Sequence, residues 1–191
     1  MGRAARKLQP VLTPVLKLDF GAGPHKREGF LGVDRHPFPG VDQVVDLTVT
    51  PWPWPDNSVI EAHSSHFLEH LTSLQRVAFC NELWRVLHPG GSCQLVVPHW
   101  ASCRAYGDPT HQWPPVSEFW FYYLSKDWRL ANAPHTDVSV IPEGFRCDLE
   151  ATWGYSLRPD VTLRNQEFQQ FAIANYKDVA LDVIATLKKK A

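Results

Sequence analysis

Apolar and polar positions fall into short blocks that read as strands separated by turns, with one long helical period among them. Val15 to Phe20 is an apolar run bounded by Pro14 and by glycines at 21 and 23, which predicts a buried strand entering a tight turn. Gly29 to Asp34 and Val41 to Leu47 repeat the pattern, and each closes near an acid, Asp34 in one case and Asp46 in the other. After the turn PWPWPDNS, Val59 to His63 predicts a fourth strand. Thr72 then opens a helix with Gln75 in the capping-box position, and Phe79, Cys80, Leu83, Val86 and Leu87 share one face. Pro89, Gly90 and Gly91 stop that helix, and Cys93 to Val97 predict a fifth strand. This order argues an α/β fold with a parallel sheet.

From residue 98 to about 135 the pattern dissolves into prolines, histidines and aromatics. A long irregular insertion in a compact domain is where function tends to sit, so 98–135 is expected on the acceptor side of a site. Phe145 to Leu157 predicts another strand, Gln166 to Tyr176 a helix and Val179 to Leu187 a last strand. No internal repeat interrupts the series.

Composition narrows the class. At 191 residues, 44% hydrophobic and 20% charged, the chain fits a single domain with a real core, preceded by a basic N-terminal arm over 1–13. A net charge of −1 supplies no overall field toward nucleic acid or anionic lipid. The basic clusters, Arg3, Arg6 and Lys7 at one end and Lys188, Lys189 and Lys190 at the other, read as solvated termini. Cys80, Cys93, Cys103 and Cys147 form no C-x-x-C pair, which fits reduced thiols and a cytoplasmic setting. The opening residues are broken by Pro10, Pro14 and Lys17 and carry no signal-peptide pattern, and no apolar run approaches the ~18 residues of a membrane helix.

The sharpest chemical signal is Leu18-Asp19-Phe20-Gly21-Ala22-Gly23, an acid followed by two glycines that let the backbone turn sharply. A dinucleotide fingerprint needs a third glycine where Lys26 stands, and the phosphate-loop pattern is absent, so pyrophosphate ligands are disfavoured. Asp34, at the end of the second strand, can accept hydrogen bonds from both hydroxyls of a ribose. An adenosine group without phosphates suits this arrangement.

The text LDFGAG, then GFLGVDR, then VDLTVTPWPWPDNSVIEAHSSHFLEHL, then LWRVLHPGGSCQLVVP resembles the class I S-adenosylmethionine-dependent methyltransferases, in particular the small bacterial and phage proteins of the methyltransferase type 11 kind. The matching stretches run over residues 15–98 in the family's order. The resemblance implies a Rossmann-like, mostly parallel seven-stranded sheet with its last strand antiparallel, and S-adenosylmethionine as cofactor. It further implies that Asp19, Gly21 and Gly23 surround the methionine part, that Asp34 holds the ribose, that Asp46 and Leu47 lie beside the adenine, and that His63 and Ser64 flank the sulfonium. One departure stands out. Only nine residues separate Phe20 from Phe30, too few for a helical crossover, so the family's first helix is expected to shrink to a loop.

His66-Phe67-Leu68-Glu69-His70 also fits H-x-x-E-H, the inverted zinc-protease pattern. No distant motif announces a third ligand, so no metal is assigned. A second polar cluster, His99 and then Gly107-Asp108-Pro109-Thr110-His111-Gln112, follows the fifth strand. There His111 is the candidate base, with His99 or Asp108 orienting it. The aromatics Trp113, Phe119, Trp120, Phe121, Tyr122 and Tyr123 could roof an acceptor or simply pack.

The place where amino-methylating DNA enzymes carry D/N-P-P-Y/F/W reads EAHSSH, and no Pro-Cys pair exists for cytosine C5 chemistry. A small-molecule or nucleotide-sized acceptor is therefore expected, with nucleic acid second and no membrane partner. A cofactor-binding scaffold without turnover, or an accessory subunit, remains the alternative to an enzyme.

Overall fold

The computed structural model describes residues 15–191; the basic cluster at Arg3, Arg6 and Lys7 lies outside them. Seven strands form one sheet in the order β3-β2-β1-β4-β5-β7-β6. β1 (Leu16–Phe20), β2 (Leu31–Asp34), β3 (Gln43–Val44), β4 (Val59–Ser65) and β5 (Leu87–Pro98) are parallel neighbours. β7 (Ala180–Lys189) runs antiparallel between β5 and β6 (Leu149–Leu157). This is the Rossmann-like, mostly parallel sheet implied by the sequence, with its last strand reversed.

The helices are few. α1 (Ser73–Val86) carries the expected capping box, in which the Gln75 amide N–H donates to the Thr72 hydroxyl and the Thr72 amide donates to the Gln75 side chain. Its face of Phe79, Cys80, Leu83 and Val86 is fully buried against the sheet. α2 (Arg104–Gly107), α3 (Glu118–Tyr122) and α4 (Lys126–Asn132) lie in the insertion. α5 (Pro159–Thr162) and α6 (Gln166–Asn175) connect β6 to β7.

Strand pairing sorts the side chains onto two unlike faces. On one, Leu18, Ala62, Cys93 and Leu187 stand in register, as do Phe20 and Ser64, and these positions belong to the core under α1. On the other, Asp19, His63, Gln94, Thr186 and Thr152 form one row and Lys17, Glu61, Ser92, Lys188 and Glu150 the next. The second face is polar because it lacks a helical cover among the described residues. Residues 21–30 and 35–42, which link β1 to β2 and β2 to β3, contain no helix. The shrunken crossover expected from the spacing is therefore present, and the following one is reduced as well.

Three elements differ from the sequence reading by more than two residues at one end. The third strand is two residues rather than Val41 to Leu47, because Asp42 turns its carboxylate to the Gly32 amide at 2.7 Å and Asp46 closes a turn on Thr48. The strand after the insertion begins at Leu149 instead of Phe145. The Arg146 and Cys147 amides donate to the Asn81 side chain of α1, and Val138 binds the Phe145 carbonyl. Residues 88–91, the predicted helix stop, lie within β5 as a bulge, between the pairs Val59↔Leu87 and Glu61↔Ser92.

The turn PWPWPDNS is core rather than linker. Trp52 and Trp54 are buried against Phe20, and Glu82 and Arg85 of α1 bind the Trp52 amide and the Trp52 and Trp54 carbonyls. The aromatic segment of the insertion also packs. Phe121 stacks on Trp153 of β6, Trp120 meets Phe145, and Phe119, Tyr122 and Tyr123 gather around Trp128, while Trp113 is exposed. All four cysteines are free, and burial lifts the Cys147 thiol to about 12. Lys189 and Lys190 are tied to Asn57 and Asp148, so these two lysines are anchored to the segments that precede β4 and β6. Among the described residues no helix is long and apolar enough to cross a membrane.

Candidate active site

Open α/β sheets bind ligands outside the carboxyl ends of their strands, where the strand order reverses. Here the reversal lies between β1 and β4, and a cleft of about 480 Å³ opens there. Gly21, Asp34, Asp46 and Leu47 line it, as do His66, Phe67, His70 and Thr110.

Asp34 is fixed rather than free. Its Oδ1 accepts from the His36 amide at 2.9 Å and its Oδ2 from the Gly23 amide at 3.1 Å, so the strand end and the glycine turn are locked around one carboxylate. Each oxygen keeps acceptor capacity for a further donor. Asp46 is held through Oδ1 by both the amide and the hydroxyl of Thr48, and these hydrogen bonds keep its carboxyl below the ordinary range. Leu47 is buried, and its carbonyl accepts from the Trp52 indole at 3.1 Å.

The glycine turn is shaped from within. Gly21 has φ +68°, and a Cβ there would lie 2.5 Å from the Phe67 ring. The close approach that glycine permits at position 21 is thus made by this chain's own Phe67. Gly23, with φ +54°, faces open space.

Asp19, His63 and Ser64 do not line the cleft. Asp19 is buried on the polar face, with Oδ1 2.6 Å from His63 Nδ1 and Oδ2 accepting from the Arg27 amide at 2.7 Å. The pair staples the loop that replaces the first helix. Ser64 is fully buried on the core face and donates to the Phe20 carbonyl at 3.0 Å. Strand alternation explains the difference, since β4 continues to Ser65 and the residues that enter the cleft are the ones after it.

Those residues, 66–71, contain no α-helix. His66 has φ +53°, and only Leu68–His70 form a 3₁₀ turn. His66 and His70 therefore do not share an α-helix face, as a zinc-protease pair would. His66 instead contacts Glu69 Oε1 at 3.1 Å, which raises the pKa of the imidazole against the opposing effect of burial.

The 108–112 segment is brought over this turn by Arg76 of α1, which is 2% exposed. Its guanidinium donates to the carbonyls of Leu68 and Glu69 on one side and of Gln112 and Pro114 on the other. The Gln112 amide completes the seam on the Glu69 carbonyl at 2.8 Å. As a result His70 and His111 meet edge to face, 4.7 Å between ring centroids. Asp108 Oδ2 lies 3.9 Å from His111 Nε2. A second, shallower opening beside them is lined by His66, Arg104, Asp108 and His111.

His99 is elsewhere. Its Nε2 is 2.7 Å from Glu118 Oε1 and its Nδ1 accepts from the Ala101 amide, so both ring nitrogens are engaged. It lines a separate cavity with Trp100 and Tyr155 and does not orient His111. Sequence reasoning had no signal for Arg76 or for Phe38, which is exposed at the cleft rim beside His36.

Sheet order, reversed last strand and cleft position together define the class I S-adenosylmethionine-dependent methyltransferase fold. Solved structures agree. The chain is similar to a SAM-dependent methyltransferase from Archaeoglobus fulgidus (TM-score 0.61, 18% identity, 92% of this chain and 86% of that one). It is likewise similar to one from Methanosarcina mazei (TM-score 0.54, 16% identity, 96% and 98%). A geranyl diphosphate C-methyltransferase from Streptomyces coelicolor follows at TM-score 0.51 and 16% identity, over 94% and 72%. No family model matches the sequence, and no curated protein matches it.

Proposed function

We propose that this chain transfers a methyl group from S-adenosylmethionine to a small-molecule or nucleotide-sized acceptor. The observation that carries the reading is Asp34, whose carboxylate is clamped by the Gly23 and His36 amides at the rim of a cleft placed where this fold binds its ligand. In this reading Asp34 accepts from the ribose hydroxyls. Asp46 and Leu47, with Phe38 opposite, bound the adenine, and Gly21 and Gly23 turn the chain around the methionine part. The sulfonium points toward His66, Phe67 and His70, in place of His63 and Ser64. The acceptor enters by the adjoining opening, where His111 and Asp108 stand. Positioning the nucleophile, methyl carbon and sulfur in line supplies much of the rate.

Calorimetry with S-adenosylmethionine and S-adenosylhomocysteine tests the reading. Micromolar binding of either by the native chain, lost in Asp34→Ala, is the expected outcome. Undiminished binding in Asp34→Ala would remove the ribose assignment, and no binding by the native chain would overturn the methyltransferase reading and favour an accessory subunit.

A further inference from the structure

Where the turn after β4 meets the segment after β5, the chain presents acceptors with no donor between them. Glu69, His70 and His111 each bring one ligand-type atom within 4.8 Å of the other two. Their neighbours fix the protons. The Thr110 hydroxyl has a single hydrogen, given to Asp108 Oδ1 at 2.7 Å, so in its 2.9 Å contact with His70 Nδ1 the imidazole must donate. His111 Nδ1 faces the Ala105 carbonyl at 3.3 Å, which can only accept. In neutral rings these contacts place the hydrogen on Nδ1 and leave Nε2 as the acceptor. Glu69 is 4% exposed, its Oε1 faces His66, and its Oε2 is buried with no hydrogen-bond partner. An orphaned buried carboxylate oxygen is costly unless something positive meets it.

We propose that Glu69 Oε2, His70 Nε2 and His111 Nε2 bind a zinc ion. Two imidazoles and a carboxylate are a known catalytic zinc set, with bonds of about 2.0–2.2 Å and the fourth position left open. Tetrahedral bonds of that length set ligand atoms about 3.4 Å apart, so the side chains draw in on binding. The outer partners already suit the ion. Each histidine gives its other N–H to an oxygen, Ala105 O for His111 and Thr110 Oγ1, backed by Asp108, for His70. Arg76 holds the two ligand-bearing segments together. The site lies on the border of the two openings, with His70 in the first and His111 in the second.

The ion's role rests on the methyltransferase reading. Zinc takes an acceptor hydroxyl or thiol in its open position and lowers that group's pKa. The proton leaves to water rather than to His111. The resulting anion attacks the methyl carbon, the carbon–sulfur bond breaks with its electron pair returning to sulfur, and S-adenosylhomocysteine departs.

The experiment is a zinc titration of untagged, chelator-treated protein by calorimetry, with S-adenosylhomocysteine titrated into the same preparation. One zinc per chain at micromolar affinity or tighter is expected. Glu69→Gln and His111→Ala should abolish it, Thr110→Val should weaken it about 10–100-fold, and His88→Ala, on the exposed bulge of β5, should leave it unchanged. Thermal melts check that each variant folds. Should His111→Ala unfold, the cobalt(II) spectrum of the native chain decides, since a four-coordinate nitrogen and oxygen site has its own absorption. Absence of stoichiometric zinc, or equal affinity in Glu69→Gln, overturns the site. S-adenosylhomocysteine binding without zinc would sink the metal alone, and zinc without S-adenosylhomocysteine binding would sink the methyltransferase reading alone.

Discussion

Arg129 illustrates how much of this molecule depends on single buried charges. It is fully buried on α4 and donates to Asp137 Oδ2 at 3.0 Å and to the carbonyls of Tyr123, Phe145 and Cys147. Arg129→Leu would leave the buried Asp137 carboxylate without its cation and should cost about 3–5 kcal/mol in urea denaturation. A loss below about 1 kcal/mol would mean that water replaces the guanidinium. Glu118 makes a pH-dependent contribution. Burial is the largest single influence and raises its pKa, but the hydrogen bond from His99, a backbone amide, the His99 charge and Tyr155 together outweigh it and leave the pKa depressed. The stability it supplies is complete above its unfolded pKa of about 4.3 and is lost as pH falls through the lower folded value. Glu118→Gln should therefore flatten the stability profile below about pH 4.3 without changing the shape above it; an unaltered acid limb would refute the assignment. Neither charge pair was legible in the sequence, since each joins residues that only the folded insertion brings together. The position of Asp34 was legible because it is set locally, by a strand end following a glycine turn.

At the scale of elements, local signals were read well and long-range competition was not. The capping box at Thr72 and Gln75 and the buried face of α1 follow from spacing alone. β3 was misjudged because Asp42 and Asp46, flanking it, spend their carboxylates on the Gly32 and Thr48 amides, and the start of β6 because Asn81 of α1 claims the Arg146 and Cys147 amides. His63 and Ser64, read as flanking the sulfonium, are successive residues of β4 and so point to opposite faces of the sheet, while the residues that line the cleft begin after the strand at His66. The glycine turn offers a discriminating test. Gly21→Ala forces a left-handed φ of +68° on a residue with a Cβ and drives that Cβ into the Phe67 ring, whereas Gly23→Ala incurs only the φ cost at +54°. The backbone cost alone is about 1–2 kcal/mol, so Gly23→Ala should lose about that much stability and Gly21→Ala clearly more. Equal losses would show that Phe67 moves aside freely, in which case the turn is looser than its geometry.

Among the described residues the sheet is clad with helices on one face. α1, Trp52, Trp54 and the insertion cover the side that carries Leu18, Phe20, Ala62, Cys93 and Leu187. The opposite face bears Lys17 paired with Glu61 at 2.6 Å, and beyond them Gln94, Thr186 and Thr152. Fully covered parallel strands read as continuous apolar runs, whereas a half-solvated sheet alternates. That alternation is written in β7 as ALDVIATLKK, and in β4 as VIEAHSS, so the missing cover was legible in the strands as well as in the short crossover. If this face stays solvated, Thr186→Lys should change stability by no more than about 0.5 kcal/mol, as exposed substitutions do. Its neighbour Ala185, fully buried on the other face, cannot take a charge, and Ala185→Lys should cost about 3 kcal/mol or more. A large penalty for Thr186→Lys would mean that another part of the chain lies over the polar rows. The loops and insertion that meet at the strand ends would then be braced from both sides of the sheet rather than from the α1 side alone.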